Sequence, residues 1–190
     1  MHASKFAASL FAAALWACAR AASDTYDLNP QHTQPTFDVI RLGFLHTPGV
    51  FTDATGLLVL DREALTGRIE VTIKMASLTT GSPSRDEYLK GKDFFNVTAY
   101  PTATVTAQDF SLAAQYPLQA DGTLTMLGVS KPVKLTIESM RCEPASGEQK
   151  AVCRGRVSTH IQRSDWGMSK YLLFVANTVT ITVDVKAIGR

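Results

Sequence analysis

Charge of one sign is scarce in this sequence: 19 Lys and Arg stand against 17 Asp and Glu, for a formal net charge of +2. The signs are interspersed, with no basic run and no acidic tail, so nucleic-acid binding has no electrostatic footing. Cysteine and histidine are few, at 3 and 4. No His-x-His, His-x-x-x-His or Cys-x-x-Cys spacing occurs, which leaves no metal or redox motif. A Gly-x-Ser-x-Gly elbow and a Gly-rich phosphate loop are also missing. Beyond the N-terminus no apolar run reaches the roughly 20 residues that a membrane-spanning helix needs.

The N-terminus is different in kind. Lys5 precedes an apolar stretch from Phe6 to Ala19, and small residues crowd Ala19 to Ser23. This is the layout of a secretory signal peptide, residues 1–23, with cleavage between Ala19 and Asp24. The competing reading is a retained helical anchor. Leu15-Trp16-Ala17-Cys18 also loosely resembles a lipoprotein box, but Trp16 stands where small residues are usual. The expected location is periplasmic or secreted, and residues 24–190 form one domain.

An exported chain meets an oxidising compartment, which keeps disulfides. Cys142 and Cys153 lie at the inner ends of two strand-like runs, Leu135–Cys142 and Cys153–Ile161, with Pro144 and Gly147 between them. The expectation is a structural disulfide stapling a hairpin, against a metal pair or a redox pair.

Alternation of period two dominates the rest. Val179, Ile181, Val183 and Val185 point one way, and Thr180, Thr182, Asp184 and Lys186 the other. Ile69, Val71, Ile73 and Met75 repeat the pattern, as do Val133, Leu135 and Ile137. In all, eight runs read as strands: 36–44, 56–60, 68–75, 102–110, 122–127, 131–138, 152–161 and 178–187. Thr66-Gly67, Asp121-Gly122 and Leu127-Gly128 read as turns. Strands this numerous, each with one apolar and one wet face, make an antiparallel sandwich or barrel. One segment departs: Ser84 and Glu87 spell a capping box, predicting a short helix over Arg85–Lys90 that ends at Gly91. Followed by Phe94 and Phe95, it is placed to cover one end of a barrel.

Three polar groups stand out. Arg85 and Asp86 open the short helix, where they pair with each other or present a guanidinium to a polar head group. Arg163-Ser164-Asp165-Trp166-Gly167-Met168 is a tight bend with bulky side chains. His32 reads as a structural histidine. The apolar inventory says more. Phe37, Phe44, Met75, Leu89, Phe94, Phe95, Met126, Trp166, Met168 and Phe174 exceed what short strands need. An eight-stranded barrel can fill itself with side chains or hold one ligand.

These residues fall into a recognisable order. Tyr26-Asp27-Leu28 leads through His32-Thr33 to Phe37. Ser77-Leu78-Thr79-Thr80-Gly81, Arg85-Asp86-Glu87-Tyr88-Leu89, Asp93-Phe94-Phe95 and Tyr100-Pro101 follow. Gly122-Thr123-Leu124-Thr125-Met126-Leu127-Gly128 runs on to Val129-Ser130-Lys131-Pro132-Val133, and Arg163 to Met168 comes last. From about Tyr26 to Ala187 the chain resembles the YceI-like family of bacterial polyisoprenoid-binding proteins. The resemblance implies a lipocalin-like eight-stranded antiparallel barrel with a short helical segment near one end. It further implies an elongated pocket through the barrel for a polyprenyl, quinone-like or fatty chain. Two positions depart: Arg41 precedes Leu42-Gly43 where His is usual, and Tyr88 stands where His is frequent. Both leave the barrel intact and bear on the head group. The cysteine pair is not a general feature of that family.

The expected ligand-binding set is therefore Phe37, Phe44, Met75, Arg85, Asp86, Tyr88, Leu89, Phe94, Phe95, Met126, Arg163, Trp166 and Met168. No catalytic residue, metal or cofactor is expected, only a bound long-chain lipid. Partners reduce to that apolar lipid, with no nucleic acid and no stable membrane span; a homodimer suits such barrels but has no sequence mark. Two other functions compete. An enzyme acting on an isoprenoid would need Asp86, Asp165 or His32 as acid or base. A structural envelope domain would have a filled barrel.

Overall fold

The computed structural model describes residues 23–190, so the N-terminal segment and Cys18 lie outside the described residues. Eleven strand segments run in chain order: β1 (Ser23–Leu28), β2 (Gln34–Arg41), β3 (Leu45–Phe51), β4 (Ala54–Asp61), β5 (Thr66–Lys74), β6 (Leu78–Thr79), β7 (Thr102–Ser111), β8 (Leu118–Met126), β9 (Val129–Glu143), β10 (Val152–Gln162) and β11 (Val175–Gly189). One helix, α1 (Pro83–Lys90), lies between β6 and β7.

Register shows that three of these segments continue their predecessors. β1 and β2 both lie antiparallel along β11, from Tyr26 opposite Gly189 to Arg41 opposite Val175. β4 and β3 follow the same path on the other side, from Ser23 opposite Asp61 to Arg41 opposite Leu45. β5 and β6 follow it again, from Asp61 opposite Thr66 to Val50 opposite Thr79. The result is a closed up-and-down antiparallel barrel of eight strands, three of them broken. Among the described residues, closure pairs every strand on both sides except at the short β6.

The breaks sit side by side on neighbouring strands. The first is the turn at Asn29–Thr33, where the Asn29 amide and the Thr33 hydroxyl both hold Lys186 O. The second is Thr52-Asp53, and the third is the 3-10 turn Met75–Ser77. Beyond them β6 has no strand partner toward β7. The connection that carries α1, Phe94 and Phe95 fills that position instead.

Alternation works as the sequence predicts: on β11, Val185 and Ala187 are buried while Asp184 stays exposed. The end of the barrel away from the breaks is nearly filled, with a void of about 40 Å³ beside Leu58, Phe110 and Ile137. Tyr26, Leu58, Leu60, Phe110 and Leu118 pack there, all at most 7% exposed. Cys142 and Cys153 face each other across β9 and β10 and are disulfide-bonded.

Several local expectations are corrected. Thr66-Gly67 and Asp121-Gly122 are not turns but lie inside β5 and β8. Their glycines permit close packing. A Cβ on Gly67 would come within 2.4 Å of the Phe110 ring, and one on Gly122 within 2.8 Å of Thr106 O. Leu127-Gly128 is a turn, with both residues at positive φ, +53° and +74°. The helix starts earlier than the capping box implies: Ser82 is the N-cap and Pro83 the first helical residue, a position that tolerates the missing N–H. Phe44 falls beyond β2, on its turn into β3.

Candidate ligand cavity

Inward-facing residues of the eight strands surround a cavity of about 520 Å³. Val179, Ile181, Val183 and Val185 line it from β11, and Ile69, Val71 and Ile73 from β5. The lining on β11 extends from Val175 to Val185, ~33 Å of strand at roughly 3.3 Å per residue. The cavity is thus elongated, and a smaller void of about 40 Å³ that shares Ile69, Leu135, Val157 and Val185 with it reaches on to Leu58 and Phe110.

The mouth lies on the side lined by α1 and Tyr171. Phe37, Phe51 and Phe95 form an aromatic cluster with ring centroids 5.6–6.2 Å apart. The far edge of the Phe37 ring packs against Gly49, where a Cβ would meet it at 2.3 Å. Tyr88 on α1 packs against Phe94 at 5.3 Å. Opposite α1, the segment 167–174 crosses the opening. Gly167 starts it at φ +85° and Tyr171 turns it at φ +58°. It is fastened by the Tyr88 and Tyr171 hydroxyls, 2.9 Å apart, and by a Lys170–Asp93 ion pair. The Tyr171 hydroxyl raises the pKa of the Tyr88 phenol. On its outer side this segment exposes Leu172, Leu173 and Phe174.

Most of the expected ligand-binding residues come together here. Phe37, Met75, Arg85, Tyr88, Leu89, Phe94, Phe95, Met126, Arg163 and Met168 all line the cavity. Three do not. Phe44 is 71% exposed on the β2–β3 turn. Trp166 is buried, but its indole N–H donates to Val129 O at 3.0 Å, which turns the ring into the wall. Asp86 points back toward β6: its carboxylate accepts the Thr80 amide at 2.7 Å and the Thr79 hydroxyl at 2.9 Å, besides the Thr80 hydroxyl. The Thr80 hydroxyl above all holds its pKa below the ordinary carboxylate value. It anchors the start of α1 and meets neither the cavity nor Arg85 directly. His32 and Asp165 also lie off the wall; His32 is exposed beside Asn29.

Sequence reasoning missed Phe51, Tyr171 and Thr47 as lining residues, and noticed Arg41 only as a departure. Phe51 belongs to β3, whose Pro48-Gly49 interrupts any strand pattern. Among the described residues no aspartate, glutamate, histidine or lysine lines the cavity. No cluster of three or more His, Cys, Asp or Glu among them could hold a metal ion. No helix among them is long and apolar enough to cross a membrane.

The sequence matches the YceI-like domain over residues 26–187. The chain belongs to the YceI-like family. A UPF0312 protein of Photorhabdus laumondii is 36% identical over 123 residues, 64% of each chain. Protein YceI of Shigella flexneri is 34% identical over 131 residues, 68% of this chain and 66% of that one. This YceI-like chain therefore spans just under two thirds of the length of those two relatives. Among solved structures, Burkholderia cenocepacia BcnA superposes with a TM-score of 0.67 at 22% identity, covering 84% of this chain and 98% of that one. A polyisoprenoid binding domain from Saccharophagus degradans gives 0.64 at 15% identity, covering 87% and 98%. At these identities the likeness shows the shared YceI fold.

Proposed function

We propose that this protein binds one long apolar lipid inside its barrel, a polyisoprenoid, an isoprenoid quinone or a fatty chain, and carries or sequesters it without chemical change. The observation that carries the reading is the elongated cavity walled by Val, Ile, Leu, Met and Phe. Its volume is within the roughly 300–1,000 Å³ of small-molecule sites. Each buried methylene is worth about 0.8 kcal/mol, so a five-carbon unit contributes roughly 4 kcal/mol. Association and ordering cost at least about 4 kcal/mol. A tail of a few units binds tightly with no strong polar contact. Membership in a family with a polyisoprenoid-binding fold neighbour supports the same reading.

A non-catalytic role is supported by the wall, where the described residues offer no carboxylate or imidazole as acid or base. An exported, periplasmic or secreted setting is supported by the apolar N-terminal segment and by the Cys142–Cys153 disulfide.

Denaturing extraction of the purified protein, followed by mass spectrometry, is the test. A stoichiometric long-chain apolar molecule is expected. Phe94→Asp and Met126→Asp, which put a carboxylate on the cavity wall, abolish loading, whereas Lys74→Ala on the outer surface does not. Equal loading in all three variants, or a protein that neither retains nor takes up lipid, refutes the reading.

A further inference from the structure

Among the described residues, the cavity wall carries three arginines, Arg41, Arg85 and Arg163, and no acidic residue. Their settings differ. Arg85 donates from Nε to the Thr80 hydroxyl at 2.7 Å, and that hydroxyl donates in turn to Asp86. Its charge is therefore linked to a carboxylate through one side chain. Arg163 is 4% exposed and donates to three main-chain oxygens, those of Met168, Val175 and Ala176. It braces the start of β11 with a charge that no carboxylate among the described residues answers. Arg41 is half-buried, and only its Nε is engaged, with the Thr47 hydroxyl at 2.6 Å. Its two Nη groups meet no acceptor among the described residues.

Arg41 and Arg163 converge on one place. Arg41 is the register partner of Val175, and Arg163 donates to the carbonyl of that same residue. Two permanent cations thus border Val175 on the wall of one apolar hollow. From Val39 to Thr52 and from Trp166 to Val183 the flanking chain contains no aspartate or glutamate. The nearby carboxylates Asp38, Asp93 and Asp165 all lie off the cavity wall: Asp38 is hydrogen-bonded to His46, Asp93 is ion-paired with Lys170, and Asp165 is exposed. Once a tail has displaced water, a cation facing hydrocarbon is unfavourable unless a counter-charge arrives with the guest.

Resting on the lipid reading above, we infer that the guest is an amphiphile with an anionic head, a carboxylate or a phosphate, seated at Arg41 with its tail along β11. A guanidinium meets either group through paired N–H donors, and such charge-assisted bonds are about twice as strong as neutral ones. Arg163 adds field at the same point without leaving its carbonyls.

Matched pairs of equal tail decide the matter: oleic acid against oleyl alcohol, and geranylgeranyl monophosphate against geranylgeraniol. Affinities are measured on delipidated full-length mature protein by displacement of a fluorescent lipid, at pH 8 and low salt. The anionic member of at least one pair binds about tenfold or more tightly than its alcohol. The pair with the larger ratio tells carboxylate from phosphate. Arg41→Gln lowers that ratio several-fold, and Arg41→Lys, which keeps the charge, restores part of it. Ratios near one in both pairs overturn the inference while leaving lipid binding intact, as does an unchanged ratio in a folded Arg41→Gln variant. If Arg41→Gln does not fold, the ratios of the unaltered protein decide alone. If no lipid binds at all, the lipid reading falls and this inference falls with it.

Discussion

Filling the cavity from one side chain separates the hollow from the fold that surrounds it. Val105 lies on β7, opposite Val71 on one neighbouring strand and Leu124 on the other, and all three line the cavity. Val105→Phe adds four carbons that point into open space instead of into packed neighbours. The ring displaces a comparable length of ligand tail, about four methylenes, at about 0.8 kcal/mol each. The expected loss is roughly 3 kcal/mol, a weakening of Kd of about a hundredfold. In a close-packed core the same change would cost about 1–3 kcal/mol of stability. Facing a void, it changes the stability of the empty protein by less than about 1 kcal/mol, a shift in Tm of under about 4 °C.

The assay has two arms on the same sample: fluorescent-lipid titration, and thermal unfolding of the delipidated protein. The reasoning requires them to diverge, with affinity falling and stability holding. A variant that binds as before while keeping its Tm would show that the tail does not reach Val105. A variant that melts far earlier would show that no space exists there and that the barrel is filled by its own side chains.

Gly49→Ala is expected to leave the protein folded yet weaken lipid binding several-fold, because the new methyl pushes the Phe37 ring toward the cavity it lines; unchanged titration would place that ring's freedom elsewhere. Removing the disulfide with Cys142→Ser and Cys153→Ser together is expected to lower stability by about 2–3 kcal/mol for a crosslink 11 residues apart, read as an earlier thermal midpoint, with lipid affinity intact since Cys142 and Cys153 lie off the cavity. Asp86→Asn is expected to lower Tm at pH 7. The native carboxyl titrates below its ordinary value of 3.8, so its stabilisation is present above that pH and is lost as pH falls through the native value. The gap between the two melting curves therefore narrows in acid, and a gap independent of pH would refute the role given to the Thr79 and Thr80 contacts.

The barrel was legible because each of its eight strands contributes one strand-like run, most of them alternating. Residues 36–44 and 56–60 mark the first two strands, although each of these strands also contains a second segment that the pattern does not reveal. β1 holds only Tyr26 and Leu28 as inward apolar residues, β3 is interrupted by Pro48-Gly49, and β6 is two residues long. Periodicity needs more turns of the pattern than these pieces supply. The false turns fail for a different reason. Asp121-Gly122 has turn composition, but the backbone of β7 and the side chain of Leu135 crowd the Gly122 α-carbon so closely that only glycine fits there within a strand.

Whether an alternating face meets its opposite or a guest is not a property of alternation. The inward residues read the same either way, and side-chain reach decides. Around the cavity the walls are dominated by short β-branched side chains: Val71, Ile73, Val105, Val133, Val157, Val179, Ile181, Val183 and Val185. At the more tightly packed end the layer is built from Tyr26, Leu58, Leu60, Phe110 and Leu118. Eight strands enclose a ring that such longer side chains can span and that valines cannot. Phe37, Phe51 and Phe95 pack against one another as a cluster on the cavity wall. A gradient of inward bulk along a barrel, valines at one end and aromatic or leucine plugs at the other, is thus a sequence-level signal of a hollow. It is readable only once the strands have been placed in register.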